Sequence, residues 1–322
     1  MGGEITVSGK SAYCLASVLL SLTVLCSMML TVAAQTNNLT SAIGSWQPPK
    51  NFVDPVTLKI QEFRSQGLDD EEITAKLAKL GMGWYPETGA TWMGRVLTPE
   101  ELAEMPIRAP VKAPLDENAV LSTGRASCMR TNYASWTGVA SEVVSGSMSV
   151  SSGQTRYHYL CVQLGNLDSG TNWVEIMLTH NYGETYKWYT YDSDEGGGLV
   201  YYMDKNTPIT AADTYVIMLD GTQDGGGWHY DVWINYQWVR RGHLSNLWVQ
   251  AGFQKEVYSY SDSGQFTNDA SHAVFYRNWL HNDQGWPYWT SSASTWWYTA
   301  APVRETHSMG AVSYRWETWV QN

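Results

Sequence analysis

Between about Asn118 and Asn322, apolar and polar residues alternate with a period of two in short runs, and clusters of Gly, Asp, Asn and Ser separate the runs. That period sends alternate side chains to opposite faces, so each run predicts a strand with one buried and one polar face. Strands are predicted over 142–150, 157–164, 173–180, 186–191, 215–219, 228–234, 248–260 and 312–320. About 200 residues of such strands make one β-sandwich domain, residues 118–322. Two of the runs carry a glutamate on the polar face. In the first, Val174, Ile176 and Leu178 point one way and Trp173, Glu175 and Thr179 the other; in the second, Gln254, Glu256, Tyr258 and Tyr260 lie opposite Phe253 and Val257. A carboxylate among aromatic rings on a sheet face is subject to desolvation, and a second carboxylate nearby favours sharing of a proton.

Residues 35–117 have a different pattern, that of a small helical leader and linker. Asp54-Pro55 is a cap followed by proline in the first turn, and Val56, Ile60 and Phe63 form an apolar stripe at helical spacing, with Leu58 off it. Gly67 breaks that helix, Asp69 or Asp70 caps a second with Ile73, Leu77 and Leu80 on its apolar face, and Thr98-Pro99-Glu100-Glu101 opens a third. The leader is expected to be a removable pro-segment, a spacer or an N-terminal decoration of the fold.

An apolar run from Tyr13 to Leu30 precedes the small residues Thr31-Val32-Ala33-Ala34, so residues 1–34 form an export signal, or else an uncleaved N-terminal anchor. Either makes the rest of the chain extracellular. Two cysteines, Cys128 and Cys161, fall in the exported part. A disulfide between them is expected in an oxidising compartment and would contribute roughly 3–4 kcal/mol; two buried thiols are the alternative. Asn38-Leu39-Thr40 is a glycosylation sequon at Asn38. A formal charge of −11 excludes a nucleic-acid partner, which needs clustered Lys and Arg. Seventeen Trp and twenty Tyr in 322 residues exceed the needs of a core and suggest a binding face for peptide or glycan.

The order of segments Val144–Val150, Cys161-Val162-Gln163-Leu164-Gly165, Trp173-Val174-Glu175-Ile176, Tyr186–Asp192 and Gln254-Lys255-Glu256-Val257 resembles that of glutamic peptidases of the eqolisin and neprosin types, over roughly residues 118–282. The resemblance implies an all-β, concanavalin-like antiparallel sandwich (jelly roll) behind the helical leader. It also implies a secreted acid endopeptidase acting on polypeptide without a cofactor. Eqolisins pair a glutamine with a glutamate on the concave sheet, and neprosin-type enzymes pair two glutamates. Glu175 falls at the first position and Glu256 at the second, so the chain follows the neprosin pattern. Trp173, Trp188, Gln254 and Tyr258 are the expected substrate-binding residues, with Gln254 and Trp188 candidates for donors to a developing oxyanion.

Two carboxylates beside a cleft also describe a glycoside hydrolase, and the aromatic excess suits a non-catalytic, lectin-like module that binds an extracellular glycan or surface. No metal site is expected. The histidines His158, His180, His229, His243, His272, His281 and His307 are scattered, with no H-x-x-x-H or paired-cysteine spacing. Asp192, Asp194 and Glu195 lack the register of a calcium loop and are expected to form a solvated acidic turn. Neither glycine run opens a helix after a strand, and no G-x-S-x-G elbow is present.

Overall fold

In the computed structural model the described residues are 43, 46–105, 125–150, 156–195, 198–259, 267–289, 295–299, 303–309 and 314–321. Residues 1–34, expected to be an export signal or anchor, and Asn38 lie outside them. The chain divides into two compact units, Met1–Gln47 and Pro48–Asn322. In the first, the Trp46 N–H closes a turn on the Ile43 carbonyl at 2.9 Å.

The second unit opens with helices α1 (Pro55–Ser65) and α2 (Asp70–Lys79). The Asp54 carboxylate accepts the Thr57 N–H at 2.8 Å, and Asp69 and Glu72 form a reciprocal capping box, which satisfies backbone donors that a helix start leaves open. Val56, Ile60, Ile73 and Leu77 are buried, whereas Leu80, expected on the stripe, lies past the helix and is half exposed. Strands β1 (Met82–Tyr85), β2 (Ala90–Met93) and β3 (Arg95–Val96) follow, then helix α3 (Pro99–Glu104).

The remaining elements are strands: β4 (Arg125–Trp136), β5 (Gly138–Val144), β6 (Arg156–Asn166), β7 (Thr171–His180), β8 (Lys187–Asp192), β9 (Leu199–Asp204) and β10 (Ala212–Asp224). After these come β11 (Gly227–Ile234), β12 (Gln237–Leu244), β13 (Val249–Ser259), β14 (Ala273–His281), β15 (Thr295–Thr299), β16 (Val303–Met309) and β17 (Tyr314–Val320). They form two antiparallel sheets, one in the order β1-β2-β12-β11-β10-β5-β14-β17-β16 and the other β15-β4-β13-β6-β7-β8-β9-β3. One large core between the sheets takes Leu160, Val162, Val174, Ile176, Leu178 and Phe253 from the second sheet and Ile217, Val232 and Phe275 from the first. This is the two-sheet antiparallel β-sandwich expected from the period-two pattern.

The leader divides differently from the expectation. Its residues 82–96 supply strands to both sheets: β2 pairs with β12, and β3 with β9. Leu97 and Met105, at the two ends of α3, pack with Cys161, Met177, Tyr189 and Leu199 on the face of the second sheet turned away from the core. Among the described residues no helix is long and apolar enough to cross a membrane.

Candidate functional site

Strands β13, β6 and β7 are neighbours, and their register decides which side chains meet. Gln163 on β6 is directly opposite Glu175 on β7 and Gly252 on β13, while Gln254 is opposite Cys161. Directly paired residues share a face, so Gln163, Glu175, Gln254 and Glu256 all project from the side away from the core. They are joined in series. The Gln163 amide donates to Glu175 Oε2 at 2.8 Å and to Gln254 Oε1 at 3.0 Å, and the Gln254 amide donates to Glu256 Oε2 at 2.8 Å. All four side chains are buried. Gln163 Oε1 is buried too and accepts no hydrogen bond among the described residues.

Glycine makes room for this arrangement. A Cβ on Gly252 would stand 3.2 Å from Gln163 Oε1 and 2.7 Å from Leu167 Cδ1, so a side chain there would press on the Gln163 carbonyl. Trp173 packs with Met129, Leu167 and Tyr191 along one flank of the relay. Burial first, and the Glu175 carboxylate second, push the Tyr191 hydroxyl up to about 12, so it remains a proton donor at any ordinary pH. On the reverse face of β13 the fully buried Lys255 pairs with Asp269 at 2.8 Å, and Asp269 accepts the backbone N–H groups of Ser149 and Val320. That anchor fixes the strand carrying Gln254 and Glu256.

The two glutamates do not form a contiguous dyad. Glu175 is on β7 and Glu256 on β13, with β6 between them, a lateral separation of roughly 9–10 Å at ordinary strand spacing. Glu256 is also displaced along its strand, because it is Gly252 that shares the level of Gln163 and Glu175. Gln163 and Gln254 fill the interval. Gln163 was not among the expected site residues; the alternation of Cys161-Val162-Gln163-Leu164-Gly165 places it on the face opposite Val162 and Leu164, but its pairing with Glu175 comes from the register alone.

Trp188 needs correction as a substrate-binding residue. It is opposite Leu178 in the β7–β8 register and therefore faces the inter-sheet core, where its Nε1–H donates to the Tyr215 hydroxyl at 2.8 Å. The expected disulfide also needs correction, because Cys128 and Cys161 are both buried thiols that are not bonded to each other. Cys128 is opposite Lys255 and Cys161 opposite Gln254, so they occupy opposite faces of the sheet, with β13 between their strands. A disulfide needs Cα atoms within about 7 Å and side chains that converge. The Tyr258 backbone is in β13, but its side chain lies outside the described residues.

The acidic turn is solvated only in part: Asp194 is exposed, whereas Asp192 and Glu195 turn inward. Asp192 is buried, with one oxygen accepting the N–H groups of Asp194 and Glu195 and the other the Tyr230 hydroxyl, and burial raises its carboxyl above the usual range. Glu195 is partly buried, and its carboxylate turns inward to His243 Nδ1 at 2.6 Å.

No family model matches the chain, and no curated protein does. Solved structures are similar in outline. Scytalido-glutamic peptidase, bound to a peptide-based transition-state analogue, aligns with 60% of this chain and 97% of its own at 8% identity and a TM-score of 0.41. SCP-B, of the eqolisin family of peptidases, aligns over 60% and 97% at 7% identity and 0.38, in a complex with the tripeptide Ala-Ile-His. The kappa-carrageenase of Pseudoalteromonas carrageenovora, in complex with an oligotetrasaccharide, aligns over 66% and 86% at 11% identity and 0.26. Likenesses this distant carry no chemistry, so the reading of the site rests on its own side chains.

Proposed function

We propose that the chain hydrolyses peptide bonds, with Glu256 as general base and the Gln163 amide as donor to the developing oxyanion. The observation that supports this is the buried series Glu175–Gln163–Gln254–Glu256 on one sheet face. It keeps the glutamine-plus-glutamate composition of eqolisins, but with Gln163 rather than Glu175 as the partner of Glu256. A substrate carbonyl takes the place of Gln254 Oε1 as acceptor from Gln163. Glu256, oriented by Gln254, removes a proton from a water that attacks the carbonyl carbon, and returns it to the departing nitrogen. Glu175 is a positioning residue. Its oxygen holds the Gln163 amide, and a charge-assisted bond of this kind is roughly twice as strong as a neutral one.

General-base action contributes about 10²–10⁴ in rate, and one oxyanion donor about 10²–10³. The test is hydrolysis of denatured protein between about pH 2 and 6, a span that brackets the ordinary carboxylate range over which a base such as Glu256 gains and loses its proton. Glu256→Gln is expected to abolish cleavage with the β-sheet circular dichroism unchanged. Absence of any cleavage by the parent protein across that span ends the peptidase reading. One observation favours a glycan instead: the partly exposed Tyr191 is directly opposite Glu175, and the partly exposed Tyr201 extends the same aromatic face onto β9. A glycan-binding face would lose affinity for oligosaccharide on Tyr201→Ala and be indifferent to Glu256→Gln.

A further inference from the structure

At the far end of the first sheet, the β10–β11 turn and β12 bring together Asp224, His229 and His243, whose ligand atoms all lie within 4.8 Å of one another. No sequence spacing announces this group, since the register creates it. His229 and His243 are directly opposite each other across the β11–β12 ladder, on the face away from the core. Asp224 is held at the turn by the Gly226 N–H, which donates to its Oδ1 at 2.8 Å. The carboxylate then stands between the two rings, with Oδ2 2.8 Å from His229 Nε2 and Oδ1 3.1 Å from His243 Nε2.

We propose that Asp224, His229 and His243 form a binding site for a divalent transition metal ion, Zn²⁺ foremost. Two imidazole nitrogens and a carboxylate are the donors that Zn²⁺ takes, at about 2.0–2.2 Å, and ligands around a tetrahedral ion at that distance sit about 3.3–3.4 Å apart. The observed 2.8 and 3.1 Å open to that spacing by an outward turn of Asp224, whose side chain is 47% exposed, and the two imidazole nitrogens lie within 4.8 Å of each other.

Two independent observations point the same way. His243 is 4% exposed, and its buried Nε2 has no well-aligned hydrogen bond among the described residues, only the Asp224 carboxylate 3.1 Å away. A buried ring nitrogen left so is costly unless something else binds it. The opposite nitrogen, Nδ1, meets Glu195 Oε1 at 2.6 Å, and Glu195 Oε2 accepts the Thr88 hydroxyl at 2.7 Å. A carboxylate on one ring nitrogen, itself anchored, is the arrangement that orients a histidine to ligate through the other. Gly226 completes the cradle, since a Cβ there would meet the His243 ring at 3.0 Å. Asp224 and His229 face solvent, which leaves the ion room for a water as fourth ligand.

The experiment uses the whole chain, stripped with a chelator and titrated with Zn²⁺ against a chromophoric competitor, with Co²⁺ as the spectroscopic probe. Uptake of one ion per chain is expected, with the visible d–d absorption of four-coordinate Co²⁺ and a rise in Tm under excess Zn²⁺. His229→Gln, a change at a solvent-facing ring that leaves the core untouched, should weaken Zn²⁺ binding by at least about 100-fold, and Glu195→Gln by about 10–100-fold, as expected for a ligand and for the group that orients one. His243→Ala should remove binding. Failure of the parent chain to take up stoichiometric Zn²⁺, or undiminished uptake by His229→Gln and Asp224→Asn, overturns the proposal.

Discussion

Gln163 and Glu175 are separated by twelve residues of sequence and by a single inter-strand step in space, and their side chains are hydrogen-bonded at 2.8 Å across directly paired positions of β6 and β7. The same glutamine donates to Gln254, 91 residues further on, at 3.0 Å. Gln163 is therefore the junction of the relay, and the glutamates are its ends.

Replacing the junction should cost more than replacing the nearer end. Gln163→Ala is expected to lower kcat/KM for peptide hydrolysis by about 10²–10³, the usual loss for one oxyanion donor. Glu175→Gln, which keeps a hydrogen-bond acceptor beside Gln163, should cost about tenfold or less. The double variant Gln163→Ala with Glu256→Gln should be scarcely slower than Glu256→Gln alone, because residues that act as a unit are not additive. Steady-state kinetics on one peptide across the four variants checks the order, and a larger loss from Glu175→Gln than from Gln163→Ala would reverse the assigned roles.

The cysteines give a chemical prediction. Protein unfolded without reductant should alkylate at both Cys128 and Cys161, and peptide mapping should show no link between them. A linked peptide would require β4 and β6 to depart from their places on either side of β13.

Glu142 gives a prediction in pH. It is buried on β5, where loss of hydration raises its carboxyl to about 6 from 4.5, partly offset by Arg277 at 3.3 Å; Tyr236 and Tyr276 are the other titratable groups facing it. A carboxyl raised on folding gives stability that is fully present below its unfolded value and lost as pH rises through its folded one. A move from 4.5 to about 6 corresponds to about 2 kcal/mol. Between about pH 4 and 8, the parent should lose about 2 kcal/mol relative to Glu142→Gln in urea denaturation. Parallel stability curves for the two proteins would refute the shift.

Processing of the leader has a defined expected product. A cut between Ala109 and Leu115, the linker where removal of a pro-segment is expected, leaves β1, β2 and β3 within the two sheets. The two fragments should co-elute in gel filtration and separate only in denaturant. Deleting residues 48–105 outright should instead give aggregation-prone protein, since it strips β2 from the β12 edge and uncovers Cys161, Met177, Tyr189 and Leu199.

The period-two pattern made the sandwich legible, because core-facing residues such as Val174, Ile176, Leu178 and Phe253 alternate with polar ones whatever their partners turn out to be. It also put Glu175 and Glu256 on the correct face. Register was the missing quantity. Nothing in the sequence says that Glu175 pairs with Gln163, that Trp188 pairs with Leu178, or that Cys128 and Cys161 flank the same strand on opposite faces. These relations depend on which strands lie side by side, and an alternation fixes only the face of each strand. The histidine cluster was hidden for the same reason, since a cross-strand pair has no fixed spacing along the chain.

The relay of amides and carboxylates also governs how the site meets a ligand. Gln254 Oε1 accepts from the same Gln163 amide that the proposed mechanism offers to a substrate carbonyl. The resting site thus carries its own competitor, tethered to the same sheet and present at every encounter. Exchange of one neutral acceptor for another changes the free energy by only about 1 kcal/mol. Under the proposed peptidase reading, binding strength must accordingly come from contacts beyond the relay, and selectivity among peptides from the residues flanking the scissile bond rather than from the bond itself.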